Sequence, residues 1–209
     1  MVEGTRNVTV RVAGEEDIQP LGEMFARAFR ADPIMRWLIP SDGEWELYGC
    51  KYFTTSLRMA LQVGVVYTTR DHAGAAIWYR PPSASLDHET TLRQGLSEAR
   101  FEWRMASLLR QRYPRRRRLS KAVRESRPEG PHWCLSAVGV DPSRRGEGIL
   151  TPLLEPILSK CDAEGVEASL HSSNPDNNPI YQRYGFRVTG SIEMTQGPTL
   201  RTMLRAPRS

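Results

Sequence analysis

The sequence predicts an α/β fold, a mixed sheet with helices on both faces. Three observations carry that expectation. Apolar residues recur at helical spacing in 18–29 and 153–161 and at strand-like spacing in 8–12, 64–69, 75–79 and 133–140, so the two kinds of element interleave. Two β-prone runs are joined by the short polar link Arg70-Asp71-His72-Ala73-Gly74, which reads as a hairpin. An apolar strand from Trp133 to Val140 runs through Asp141-Pro142 into a loop with two arginines and two glycines, and from there into an amphipathic helix.

Taken in order, Val8 to Val12 opens as a strand. A helix follows with Ile18, Leu21, Met24, Phe25, Ala28 and Phe29 on one stripe and the acids Glu15 to Asp17 at its positive end. Asp32-Pro33 stops it, since a residue before proline is disfavoured in helical conformation. Ile34 to Ile39 is an apolar segment, and a second helix is expected from Glu44 to about Gln62. Pro81-Pro82 ends the hairpin, and Ser83 to about Gly130 reads as polar helix marked by Leu92, Leu96, Trp103, Leu108 and Leu109. The later helix is expected to start at Thr151 as N-cap with Pro152 at its first position. Pro156 predicts a kink, at ~3 kcal/mol for the lost backbone bond, and Gly165 a stop. Ala168 to His171 is a strand. Asn174 to Pro179 turns into a short helix, Ile180 to Tyr184, and 186–194 and 199–204 finish as strands around Gly197-Pro198.

Composition narrows the classes. A chain of 209 residues suits one generous domain, and no composition break divides it. No run of about 18 apolar residues exists, so no membrane span is expected. The start lacks a basic-then-apolar signal, which favours the cytoplasm. Cys50, Cys134 and Cys161 are odd in number, far apart and without ligand spacing, and read as reduced thiols. No metal-ligand cluster and no Gly-x-Ser-x-Gly is present, so neither a metal centre nor serine-hydrolase chemistry is expected. The net charge of +5 is concentrated at Arg110, Arg112, Arg115 to Arg118, Lys121, Arg124 and Arg127. Such a run either touches phosphates or is a solvated helix end. No recognised nucleic-acid module surrounds it, so a nucleic-acid partner is not expected.

The strand–glycine-loop–helix unit reads either as an anion site or as a plain connection between strand and helix. Gly146 and Gly148 allow backbone N–H groups close approach, the helix end adds its dipole, and Arg144 and Arg145 add charge. It lacks the Lys-Ser/Thr of a phosphate loop and the third glycine of a dinucleotide fold. His171 titrates near neutrality and reads as a general base, a substrate contact or a sheet histidine. His132 is a second candidate base, while His72 and His88 carry no case. Asp32, Trp37, Tyr52 and Trp78 are candidate acceptor contacts, because an acid attracts an ammonium and aromatic faces pack a ligand body.

Arg145-Gly146-Glu147-Gly148-Ile149-Leu150 resembles the Gln/Arg-x-x-Gly-x-Gly/Ala signature of GCN5-related N-acetyltransferases (GNAT). Asn174-Pro-Asp-Asn177-Asn-Pro-Ile-Tyr181-Gln-Arg-Tyr-Gly185-Phe186 resembles that family's second motif, at the right separation. From about Arg127 onward the chain is similar to puromycin N-acetyltransferase-like enzymes, through Trp133, Pro156, Gly185-Phe186 and Gly197-Pro198. The resemblance implies a single domain over 1–209, with an acceptor-side half (1–130) and an acetyl-CoA-binding half (131–209). It also implies a mostly antiparallel sheet of six to seven strands. Acetyl-CoA is then the co-substrate and a small-molecule primary amine the acceptor, in a monomer or homodimer without a metal. The alternatives are an acetyltransferase acting on protein or RNA, or a non-catalytic acyl-CoA- or nucleic-acid-binding module of the same fold. The pyrophosphate would lie on Arg145, Gly146, Glu147, Gly148, Ile149, Leu150 and Thr151, and the pantetheine along Val138, Gly139 and Val140. Asn177 would hold the pantetheine, or is a turn or cap asparagine. Tyr181 would be the general acid near the thioester sulfur. Leu150 departs from the signature, which wants a small residue there, and Tyr184 reads as core. His171 stands where the puromycin enzyme has a glutamate.

Overall fold

A computed structural model describes residues 8–81 and 88–208, with side chains from 8 to 81 and 95 to 208. Pro82, Ser83, the side chains of His88 and Leu92, and the first seven residues read above for a signal lie outside the described residues. Strands are β1 (Val10–Val12), β2 (Gly64–Thr69), β3 (Gly74–Tyr79), β4 (His132–Val140), β5 (Glu167–Ser172), β6 (Arg187–Glu193) and β7 (Thr199–Arg205). Helices are α1 (Ile18–Ala28), α2 (Pro33–Leu38), α3 (Asp42–Val63), α4 (His88–Leu109), α5 (Tyr113–Glu125), α6 (Leu150–Glu164) and α7 (Asn178–Arg183). The strands form one seven-stranded sheet in the order β1-β2-β3-β4-β5-β7-β6. Every pairing is antiparallel except β4 with β5, which is parallel.

Strand β3 shows why the sheet needs helices on both faces. Its side chains alternate: Ala75 and Ile77 enter a core with α1, α2 and α3, whereas Ala76 and Trp78 enter a second core with α6. Leu21, Met24 and Phe25 of α1 are fully buried in the first core, with Phe25, Phe29 and Phe53 in ring contact. Leu153, Leu154, Ile157, Leu158 and Cys161 of α6 fill the second. That helix runs on across Pro156 to a left-handed cap at Gly165, φ +67°.

Three sequence expectations change. Ile34 to Ile39 is largely helical, because Asp32 caps α2 by accepting a bond from the Met35 amide at 3.0 Å and Pro33 sits in its first turn. Helix α3 starts at Asp42 rather than Glu44, since the Ser41 hydroxyl accepts from the Glu44 amide. Helix α6 starts at Leu150, so Thr151 is not its cap: the backbone is already helical at Ile149. Cys134 and Cys161 are buried and Cys50 partly so, all three as free thiols.

Part of the arginine run is structural, while Arg110, Arg117, Arg118, Lys121, Arg124 and Arg127 are exposed. Arg116 is 7% exposed, pairs with Glu102 and lies over the Phe101 ring, fixing α5 on α4. Arg112 pairs with Glu44 of α3, and Arg115 donates to the Trp37 carbonyl. Among the described residues no helix is long and apolar enough to cross a membrane.

Candidate active site

The site begins where two strands part. Parallel pairing of β4 with β5 runs from His132↔Glu167 to Leu135↔Leu170 and then stops, although β4 continues to Val140 and β5 to Ser172. The partings coincide with a bulge, since Ile77↔Ala137 is followed by Trp78↔Leu135 and leaves Ser136 as the extra residue. Residues 137–140 stay paired with β3, and 136–140 have no strand partner on the other edge among the described residues. A cleft of about 820 Å³ opens there, walled by β4, the glycine loop and the start of α6 on one side and by His171 to Asn177 and α7 on the other.

The loop is held open by its own chemistry. Asp141 accepts from the Ser143 amide and hydroxyl and from Arg27 of α1, contacts that hold its carboxyl below the usual range. Arg144 donates to Glu147 at 2.9 Å and to Asp71 of the β2–β3 turn at 2.8 Å, so two carboxylates engage its charge. Among the described residues Arg145 makes a 3.3 Å bond to the Ala28 carbonyl, and it is exposed. Gly146 and Gly148 have φ of +85° and +75°, and a Cβ on either would point into empty space. The loop therefore presents backbone, next to the N-terminus of α6, to anything bound in the cleft. Ile149 anchors it as a core residue. Leu150 packs partly against the same core and also lines the cleft. Valine at Gly148 would be strained at that φ and would fill the cradle. It is expected to raise KM for acetyl-CoA about tenfold, a loss of ~1.4 kcal/mol, with kcat nearly unchanged; initial-rate kinetics would check this.

Gly139 contributes backbone only, because a Cβ added there would lie 3.0–3.1 Å from the Phe25 and Phe29 rings. Val138 and Val140 flank it on the open edge. Thr151 turns its hydroxyl to Tyr184 across the cleft, Oγ1 to OH at 2.8 Å. Tyr184 is thus a cleft residue with a polar partner, and not core alone. Asn177 makes no side-chain cap bond at the head of α7, whereas Asn174 does cap, accepting from the Asp176 amide at 3.0 Å. Asn177 is among the residues that line the cleft.

Asp32, His171 and Tyr181 all line this cleft. Asp32 accepts from Ser173 at 2.6 Å, which joins the α1–α2 junction to the segment after β5. Burial first, then the Asp32 charge, pushes the Tyr181 phenol up to about 12. Burial, with Arg127 and His132 adding positive charge, pushes His171 down to about 4. His171 is therefore neutral in the folded chain at physiological pH. His132, buried at the start of β4, binds the Gly130 carbonyl through Nδ1 and does not line the cleft.

The depressed His171 value has a stability consequence. The unfolded imidazole titrates near 6.5, so this contribution is intact above that pH and is lost as pH falls from there through about 4. Wild type is expected to lose stability relative to His171→Asn between pH 7 and 5, by up to ~1.4 kcal/mol per pH unit. Urea unfolding of both proteins across that window would check it.

The aromatic acceptor candidates are not brought to the cleft. Trp78 is 0% exposed, inside the second core, because β3 is covered on both faces. Trp37 donates from Nε1 to the Gln196 carbonyl at 2.7 Å and carries Arg115 on its ring. Tyr52 packs with Phe53 in the first core. Sequence reasoning missed Ser173 and Ser126, whose partners Asp32 and His171 lie 141 and 45 residues away. No local pattern marks either serine.

Residues 122–205 match the model of an acetyltransferase (GNAT) domain. The chain is 29% identical over 206 residues to an uncharacterized N-acetyltransferase of Schizosaccharomyces pombe, covering 93% of this chain and 81% of that protein. In fold it is similar to the crystal structure of histone acetyltransferase HPA2 and related acetyltransferase from Corynebacterium glutamicum, with TM-score 0.66, 21% identity and 97% of each chain covered. It is also similar to arylalkylamine N-acetyltransferase 2 from Aedes aegypti, with TM-score 0.57, 15% identity and coverage of 97% and 100%. At those identities the two structures speak to fold alone.

Proposed function

We propose that the chain is an acetyl-CoA-dependent N-acetyltransferase, a reading supported by the acetyltransferase (GNAT) match over residues 122–205 and the N-acetyltransferase relative, and that its acceptor is a primary amine of a compact small molecule of antibiotic or natural-product type, as in puromycin N-acetyltransferase-like enzymes. One observation carries this reading. The β6–β7 turn lies at the same end of the sheet as Ser172 and Ser173, and there Trp37 of α2 donates to Gln196. Gly197 packs so closely on Trp37 that a Cβ would lie 2.8 Å from its ring. The turn and α2 thus bridge the acceptor side, which favours a compact amine over an extended chain.

The residues fit the co-substrate. Its pyrophosphate suits the exposed backbone of Arg145 to Thr151, and its pantetheine amides suit the unpaired edge at Val138 and Val140 and the Asn177 side chain. Asp32 attracts the ammonium form of the acceptor, which loses one proton to solvent before the neutral amine attacks the thioester carbonyl. His171, neutral, takes a proton from the amine nitrogen as the carbon–nitrogen bond forms. Tyr181 gives its phenolic proton to the sulfur as the carbon–sulfur bond breaks. Exchange with solvent restores both groups, so amine and thioester become amide and thiol.

A thiol-release assay with purified protein, acetyl-CoA and a panel of amines tests this. Turnover of aminonucleosides or other compact amines well above that of lysine-bearing or N-terminal peptides is expected. Equal or faster turnover of the peptides would overturn the small-molecule reading.

A further inference from the structure

We propose that Ser126, at the end of α5, is a positioning residue: it fixes His171 as the Nε2–H tautomer and leaves the Nδ1 lone pair to receive the amine proton. The proposal rests on His171 as the base in the reading above. Its basis is a hydrogen count. The Ser126 oxygen lies 3.0 Å from the Val123 carbonyl and 2.9 Å from His171 Nε2. The hydroxyl has one hydrogen and the carbonyl can only accept. Giving that hydrogen to Nε2 would leave two oxygens facing each other at 3.0 Å with no hydrogen between them. Giving it to Val123 satisfies every group, with Nε2–H donating to Ser126 and Ser126 donating to the carbonyl.

Nothing else competes to set the ring. Nδ1 has no partner among the described residues, and no carboxylate contacts the imidazole. His171 lies one residue beyond Leu170, the last residue of β5 paired with β4, so its ring lines the cleft as the strands separate. Arg127, beside Ser126 in sequence, and His132 of β4 act on the ring only through charge. During transfer Nδ1 takes one proton from the amine, while Nε2–H and the serine hydrogen stay where they are. That proton then leaves Nδ1 for solvent. The acceptor-side half thus supplies, through the end of α5, the contact that defines the base on β5.

Imidazole ¹⁵N NMR of the intact protein tests this without reference to activity. The expected spectrum assigns the proton of His171 to Nε2. In Ser126→Ala the Nδ1–H form should gain population, and Ser126→Thr, which keeps the hydroxyl, should restore the wild-type pattern. In parallel, Ser126→Ala should lower kcat by about tenfold to a hundredfold with coenzyme A affinity unchanged, and Ser126→Thr should recover most of the loss. An Nδ1–H signal in wild type, or an unaltered His171 spectrum in Ser126→Ala, overturns the proposal. Full turnover by His171→Asn, alongside the expected spectra, would overturn the base assignment instead and so separates the two claims.

Discussion

Tyr181→Phe is expected to lower kcat for acetyl transfer by on the order of a hundredfold or more and to leave coenzyme A affinity essentially unchanged. Of Asp32, His171 and Tyr181, which line the cleft together, the phenol is the group assigned as the acid. Burial and the Asp32 charge hold it up at about 12, so it keeps its proton across the neutral range and can deliver it to a departing thiolate. Phenylalanine preserves the ring and its edge contact with Phe186, whose centroid lies 6.3 Å away. Fold and cleft shape should therefore survive while the proton is lost. Thiol-release kinetics paired with calorimetric titration of coenzyme A would separate the two effects, and wild-type turnover in the variant would remove Tyr181 as the acid.

The largest stability effect is expected at Asp162. Arg205, at the end of β7, is 2% exposed. Its guanidinium donates to both Asp162 oxygens at 2.7 and 2.6 Å and to the Tyr184 carbonyl at 2.9 Å. The contact fastens β7 and the end of α7 to α6. Removing the carboxylate leaves a buried cation without its counter-charge, which typically costs ~3–5 kcal/mol. The Asp162 side chain is 27% exposed, so the low end, about 3 kcal/mol, is expected for Asp162→Ala. The urea midpoint should fall with an unchanged m-value. Asp162→Leu combined with Arg205→Met should recover most of the loss, since it removes both charges.

What the sequence made legible was local. Alternation in β2 and β3, the helical stripes of α1 and α6, and Gly165 as a stop all follow from spacing and backbone preference, and each matches the structure closely. The glycine loop was legible for the same reason, because only glycine tolerates those φ values without strain. Six-residue α2 was too short to show a period, although Asp32-Pro33 held its start signal. Partners were not legible. Arg112 finds Glu44 68 residues away, and Trp78 looks like a ligand-facing aromatic until both faces of β3 are seen to be covered. The acceptor side depends on such long-range meetings, of Asp32 with Ser173 and Trp37 with Gln196, which no spacing rule encodes.

The parted strands have a consequence for self-association. An unpaired run of backbone donors and acceptors is normally a template on which another copy of the chain can add a strand, and exposed edges of that kind promote aggregation. Here residues 136–140 offer such an edge in the middle of a sheet, between walls formed by the glycine loop and α7. A neighbouring polypeptide cannot lie flat along it, but a slender chain carrying amide groups can. The protein thereby keeps open hydrogen-bonding capacity for a ligand at a place shielded from its own kind.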